Sequence, residues 1–137
     1  MKKEKTKSFV GIISAVALCA LSLRIIAGFW ISRAIAQNEG NALTTLKLIS
    51  AALENFAKEN HGIYPNSLNQ LTSGTPPFLD KTCLEPDSFK GYTFSCPKLL
   101  ANDYECLALP QRCKLTGDKI YRITKGGEFF FEGCSKK

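Results

Sequence analysis

Between Ser8 and Ser32 the chain carries twenty-five residues interrupted by a single charge, Arg24. As a helix that stretch would measure about 37 Å at ~1.5 Å per residue, longer than the ~30 Å hydrocarbon core of a bilayer. No other feature constrains the fold as strongly, because 137 residues support one cored domain and not two. The segment is therefore read as a retained membrane helix. Lys2, Lys3, Lys5 and Lys7 precede it and should stay on the cytoplasmic side under the positive-inside rule. Arg24 falls toward the far interface, where a long side chain snorkels. Phe29 and Trp30 follow at the level of an aromatic belt, and Arg33 lies beyond it.

Two other export signals use the same residues. A cleaved signal peptide would take Phe9–Leu23 as its apolar region and Ala34-Ile35-Ala36 as its cleavage site. That site lies far from Leu23, and Arg24 with the renewed apolar run fits such a peptide poorly. A lipoprotein signal needs a small residue before Cys19, and Leu18 is not one. All three readings export the remainder.

Charge follows the same division. Residues 1–37 hold six Lys/Arg against one acid, a net of +5, whereas residues 38–137 hold twelve against eleven, a net of +1. A basic nucleic-acid surface spread over a folded domain is excluded, and no nucleic-acid partner is expected.

Leu43, Leu46, Ile49, Leu53, Phe56 and Ala57 recur at helical spacing, with Lys47, Glu54, Lys58 and Glu59 assigned to other faces. Gly40 permits a kink, but no proline breaks the run. One helix from Ser8 to about Asn60 is predicted, with Gly62 as its stop and His61 in its last turn. Past Gly62, Ser67–Leu71 reads as a short helical turn and Gly74–Pro77 as a loop. Strand-like runs follow at Tyr92–Cys96, Tyr104–Leu109, Ile120–Thr124 and Glu128–Phe131, the last two joined by Lys125-Gly126-Gly127. Short links make the sheet antiparallel. The fold class is α+β: a long N-terminal helix whose amphipathic second half covers a small antiparallel sheet of three or four strands. The segments expected are a basic leader (1–7), a membrane half (8–32), an amphipathic half (33–61) and a disulfide-bearing loop and sheet region (62–137).

The exported cysteines are Cys83, Cys96, Cys106, Cys113 and Cys134. None forms a C-x-x-C pair, so zinc and thioredoxin-like spacing is absent. In an oxidising compartment they read as two disulfides and one free thiol. Cys96 and Cys106, on successive strands, are the easiest pair to close. His61 has no ligand partner in sequence reach, and Asp103, Asp118, Glu128 and Glu132 read as solvated hairpin acids. The run Phe129-Phe130-Phe131 reads as a core strand covered on both sides, with a partner-facing patch as the alternative. No nucleophile elbow, phosphate loop or paired carboxylates occur. No catalytic residue, cofactor or metal is expected, and the protein is read as a non-enzyme.

Leu43–Leu71 resembles the type IV pilin-like family, including the pseudopilins of type II secretion. The resemblance rests on a helix ending at Gly62, the step Tyr64-Pro65, and the turn Ser67, Leu68, Leu71. Gly91-Tyr92 opening one strand, Leu109-Pro110 closing the next and the final glycine hairpin also look like small pseudopilins. The resemblance implies an inner-membrane subunit with a periplasmic domain that meets lipid and, through its long helix, other pilin-like subunits or secretion machinery. The loops between Gly62 and Tyr92 and the sheet face would contact neighbours or cargo. It also implies prepilin-peptidase cleavage between Ser8 and Phe9, where the family usually has Gly before the bond. The family's fifth mature residue is Glu, and here it is Ile13. The aspartate-rich calcium loop of major pseudopilins has no counterpart. The rival reading is a membrane-anchored periplasmic binding module that does not polymerise.

The topology is directly testable. With a membrane-impermeant thiol reagent on intact spheroplasts, Ser135→Cys should add label above that of the wild-type chain and Lys2→Cys should add none. The reverse pattern would invert the topology.

Overall fold

The computed structural model describes residues 2–84 and 91–135, with side chains described from Val10 onward. It is α+β. Helix α1 (Lys2–Glu59) is followed by α2 (Asn69–Thr72), a 3-10 turn (Lys81–Cys83) and four strands, with a second 3-10 turn (Lys125–Gly127) before the last strand. These are β1 (Tyr92–Leu100), β2 (Asp103–Pro110), β3 (Lys119–Thr124) and β4 (Glu128–Gly133), in the antiparallel order β1-β2-β3-β4. The chain divides into two compact units, Met1–Ala34 and Ile35–Lys137.

In the first unit the helix begins at Lys2, so the basic leader is helical rather than separate from the apolar run. Its described large apolar side chains, from Val10 to Ile31, are exposed. An eighteen-residue window has a mean hydropathy of 2.3 with none of it buried, making the helix long and apolar enough to cross a membrane. Arg33 places its guanidinium 4.7 Å from the Phe29 ring centre, a cation–π contact.

The second unit is built by the amphipathic part of α1 lying on one face of the sheet. Ala42, Leu46, Ile49, Ala52, Leu53 and Ala57 are buried there, together with Thr45 and Ser50. Leu43 is only half-buried, so small residues do part of the work expected of leucines. They let the helix approach the aromatic side chains that the sheet contributes. Those are Tyr92, Tyr104 and Tyr121, with Cys106, Ala108 and Ile123 between them. Alternation along β2 is clean: Tyr104, Cys106 and Ala108 are buried, and Glu105 and Leu107 between them are not.

Strand β1 does not stop at Cys96. Register slips between Ser95 and Lys98, so Cys96 and Pro97 together face the single residue Cys106. That two-against-one bulge accommodates a proline without a ladder N–H, on a strand at the sheet edge, and pairing resumes to Leu100. The disulfides are Cys96–Cys106, across the bulge, and Cys113–Cys134, tying the β2–β3 loop to the end of β4. Their sequence separations of 10 and 21 correspond to roughly 3 kcal/mol each in the chain-entropy account. Among the described residues Cys83 and Cys19 are free, and burial, followed by the nearby Asp80 charge, pushes the Cys83 thiol up.

The helix ends at Glu59, and His61 lies past its last turn in a left-handed conformation with Gly62 (φ 58° and 84°). Gly62 N–H reaches back to the Ala57 carbonyl at 2.7 Å, closing the helix. At the β3–β4 hairpin Gly126 and Gly127 both take positive φ, the backbone that the Gly-Gly pair supplies without steric cost.

Sterics make Gly117 a sharp test. A Cβ there would overlap the ring of Tyr92, which is buried and whose hydroxyl donates to the Lys119 carbonyl at 2.7 Å. Gly117→Ala should lower stability by about 2 kcal/mol or more, read as a drop in Tm by circular dichroism. An unchanged Tm would mean that the ring is not held there.

Candidate functional site

Two acids of α1 organise the sheet side of the second unit. Glu54, off the apolar stripe, is partly buried against the sheet. Its carboxylate accepts the Tyr104 hydroxyl at 3.0 Å, the Tyr64 hydroxyl at 3.1 Å and the Gly126 backbone N–H at 2.9 Å. Tyr104 has one hydroxyl proton and gives it to Glu54, so Ser50 donates to the Tyr104 oxygen at 2.8 Å. Fifteen residues earlier, Glu39 accepts the Asp118 backbone N–H at 2.9 Å and the Tyr121 hydroxyl at 3.2 Å, with the Lys119 ammonium at 3.5 Å. Its side chain is only 13% exposed. Beside it, Asn38 donates to the Thr116 carbonyl at 3.0 Å. Periodicity of apolar residues carries no signal for these contacts. The nearest hint is an acid on a helix facing a segment rich in tyrosine.

The residues that carry the family resemblance converge at the C-terminal end of α1. Tyr64 is buried, packs edge-on against Tyr104 at 5.0 Å, and donates its backbone N–H to the Ala101 carbonyl at 2.9 Å. Pro65 and Leu71 are fully buried, and Leu68 packs against the core from a half-buried position. The Leu71 carbonyl accepts the N–H groups of both Phe78 and Leu79. The motif thus seats the loop region on the helix end. An open groove of about 500 Å³ lies beside it, lined by Phe56, Asn60, His61, Ile63, Tyr64, Pro65, Asn66, Gln70 and Ala101. The Ser8–Phe9 side chains lie outside the described residues.

The aromatic run on β4 departs from the sequence expectation. A core strand covered on both sides would bury all three rings. Only Phe129 packs on the core, stacked on Tyr121 at 5.6 Å, while Phe130 and Phe131 are 52% and 65% exposed. The physical reason is that one helix covers one face, and β4 is the outermost strand. Phe130 therefore points to the uncovered face, and Phe131 lies beyond the cover. Together with Ile120, Arg122 and Glu132 they line a cavity of about 130 Å³. Among the described residues no group of three or more His, Cys, Asp or Glu side chains converges as a metal site would require. Cys96, Cys106, Cys113 and Cys134 serve the two disulfides, and His61 is exposed.

No family model, characterised protein or solved structure matches this chain. Its chemistry is read from its own geometry.

The tyrosine network makes stability depend on alkaline pH. Burial first, then the Glu54 hydrogen bond and charge, pushes Tyr64 up to about 12. Burial first, then the Glu39 charge, pushes Tyr121 up to about 12. Tyr92 and Tyr104 are pushed up as well, chiefly by burial. A folded-state pKa above the unfolded value of about 10 contributes stability in full below pH 10, and that contribution is lost as pH rises through the folded value. Tm should accordingly decline between about pH 10 and 12. Phenolate absorbance in Glu54→Gln should return only part of the way toward 10, because burial persists. A Tm that is flat across that window would remove the network from the stability balance.

Proposed function

We propose that this protein is a pilin-like structural or accessory subunit of a type II secretion or type IV pilus assembly, present in few copies. The observation that carries the reading is the continuity of α1. One helix joins a fully exposed apolar stretch to an amphipathic stretch packed on a disulfide-linked sheet. Lipid would cover the first stretch while the subunit waits in the bacterial inner membrane, single pass, with the sheet region in the periplasm. Extraction into a filament would rebury that surface against like helices, since apolar surface must leave water. The seating of Tyr64, Pro65, Leu68 and Leu71 on the helix end supports the same reading, because it gives those family-like residues a shared packing role.

Low copy number follows from charge. In a bundle of packed apolar helices, a free N-terminal ammonium is costly unless a carboxylate neutralises it. The fifth residue after a cleavage at Ser8 is Ile13, and the next acid is Glu39, about 45 Å along the helix. Each stacked copy would bury an unpaired charge, with Arg24 adding another. A single copy at a filament tip avoids the repetition. The same two residues favour the rival reading, an anchored periplasmic binding module that never polymerises.

Shearing and fractionation separate the two. A minor subunit should appear in trace amounts with filaments and never as filaments of this chain alone. If cleavage occurs, Ile13→Glu should raise its incorporation several-fold. Abundant homopolymer of the wild-type chain would defeat the low-copy reading, and strict absence from sheared filaments would favour the anchored module.

A further inference from the structure

We infer that the outer edge of β4 is a docking site for an extended polypeptide segment that carries basic residues on either side of an apolar centre, adding a fifth strand to the sheet. The inference does not depend on whether the chain polymerises. Strand β4 ends the order β1-β2-β3-β4, and among the described residues no element is hydrogen-bonded to its outer side. Its backbone donors and acceptors on that side are the template for strand addition. Folded proteins usually blunt such an edge with lysine, proline or a bulge. Between Glu128 and Gly133 there is no lysine, proline or bulge, only the charges of Glu128 and Glu132, which turn away an acidic strand and admit a basic one. Strand β4 pairs with β3 in unbroken register. Two exposed phenylalanines stand there instead.

The edge is also held rigid at both ends. The Gly126 N–H binds Glu54 just before β4, and the Cys113–Cys134 disulfide closes just after it. A preformed edge loses little conformational freedom when a partner pairs with it. Beside that edge, Ile120 and Arg122 of β3 with Phe130, Phe131 and Glu132 of β4 line a half-open hollow of about 130 Å³. Its two phenylalanine rings offer apolar surface to a side chain reaching in from the added strand.

Charge selects the occupant. Glu128, Phe130 and Glu132 share the uncovered face, so the acids flank the exposed ring. Neither acid has an ion-pair partner among the described residues. The nearby cations are engaged elsewhere, Arg122 with Glu105 at 3.8 Å, Lys119 with Glu39 at 3.5 Å, and Lys125 with the Asn102 carbonyl at 3.1 Å. A second copy of β4 paired in register fits badly. Antiparallel, Glu128 would face Glu132, and parallel, each acid would face itself, so like charges meet in either direction. A segment with lysine or arginine opposite both acids, and an aliphatic residue opposite Phe130, satisfies every position.

The test uses the full chain in detergent micelles and a short peptide of three valines flanked by lysines, with threonine at each end. Binding followed by fluorescence anisotropy should saturate. It should weaken about tenfold when glutamates replace the peptide's lysines or when Glu128→Gln and Glu132→Gln are combined. Backbone N-methylation of alternate peptide residues should abolish it, since strand addition needs those N–H groups. The Glu128→Lys, Glu132→Lys protein should prefer the glutamate peptide, which separates charge readout from misfolding. No binding of the lysine peptide, or binding indifferent to both N-methylation and charge reversal, would overturn the inference. So would efficient cross-linking of Phe130→Cys between two copies with no effect of the peptide, because the occupant would then be a second chain.

Discussion

Two carboxylates on one helix face hold the second unit in register. Glu39 grips the backbone where β3 begins, at Asp118, and Glu54 grips it where β3 has ended, at Gly126. Along the helix they are separated by about 22 Å, and the strand between their partners spans a comparable length at ~3.3 Å per residue. The helix is thereby aligned with β3 and cannot slide along the sheet without leaving charged acceptors unpaired, a penalty larger than that of losing an ordinary hydrogen bond. Tyrosine is the residue that makes this possible. Tyr104, Tyr121 and Tyr64 bury their rings against the helix and present hydroxyls to the two acids. One side chain supplies both the apolar area and the donor.

That alignment explains why the sheet is asymmetric. A single helix covers one face of the sheet, burying side chains of β1, β2 and β3, and leaves the other face open, with β4 at the margin. Small residues on the helix, Ala42, Ala52 and Ala57, permit the close approach that the tyrosines need. The disulfides fasten what the helix does not reach, one at the β1 bulge and one at the end of β4. A small domain with one covered face has limited apolar area to bury, and such cross-links offset that shortage. The exposed edge that results is firm rather than frayed, which is the property a docking strand requires.

Much of this was legible from local pattern. Helical spacing identified the buried stripe around Leu46, Ile49 and Leu53, and strand-like runs with a glycine turn placed the strands of a three- or four-stranded sheet in order. Successive-strand placement singled out Cys96 and Cys106 as the easiest pair to close. The misses share a cause. Local pattern ended the strand-like run at Cys96, yet a bulge opposite Cys106 carried the ladder onward to Leu100. It placed Glu54 off the apolar stripe with no partner assigned, and two tyrosines and a glycine turn from distant parts of the chain met it. The triple phenylalanine looked doubly buried because hydrophobicity does not reveal how many layers cover a strand.

The sequence by itself determined the long helix, its division into an apolar and an amphipathic part, the antiparallel meander and the sharp turns. Each of these depends on neighbours within a few residues, where periodicity, proline and glycine act directly on the backbone. Tertiary structure alone decided which acids would be buried, which aromatic rings would be exposed and which cysteine would stay free. Those outcomes depend on residues tens of positions apart. Glu39 meets Asp118 and Tyr121, and Cys113 meets Cys134, only because one helix lies along one strand. Burial belongs to the packed surface rather than to the residue, so Phe129 and Phe131, identical in kind and on the same face, end in opposite environments.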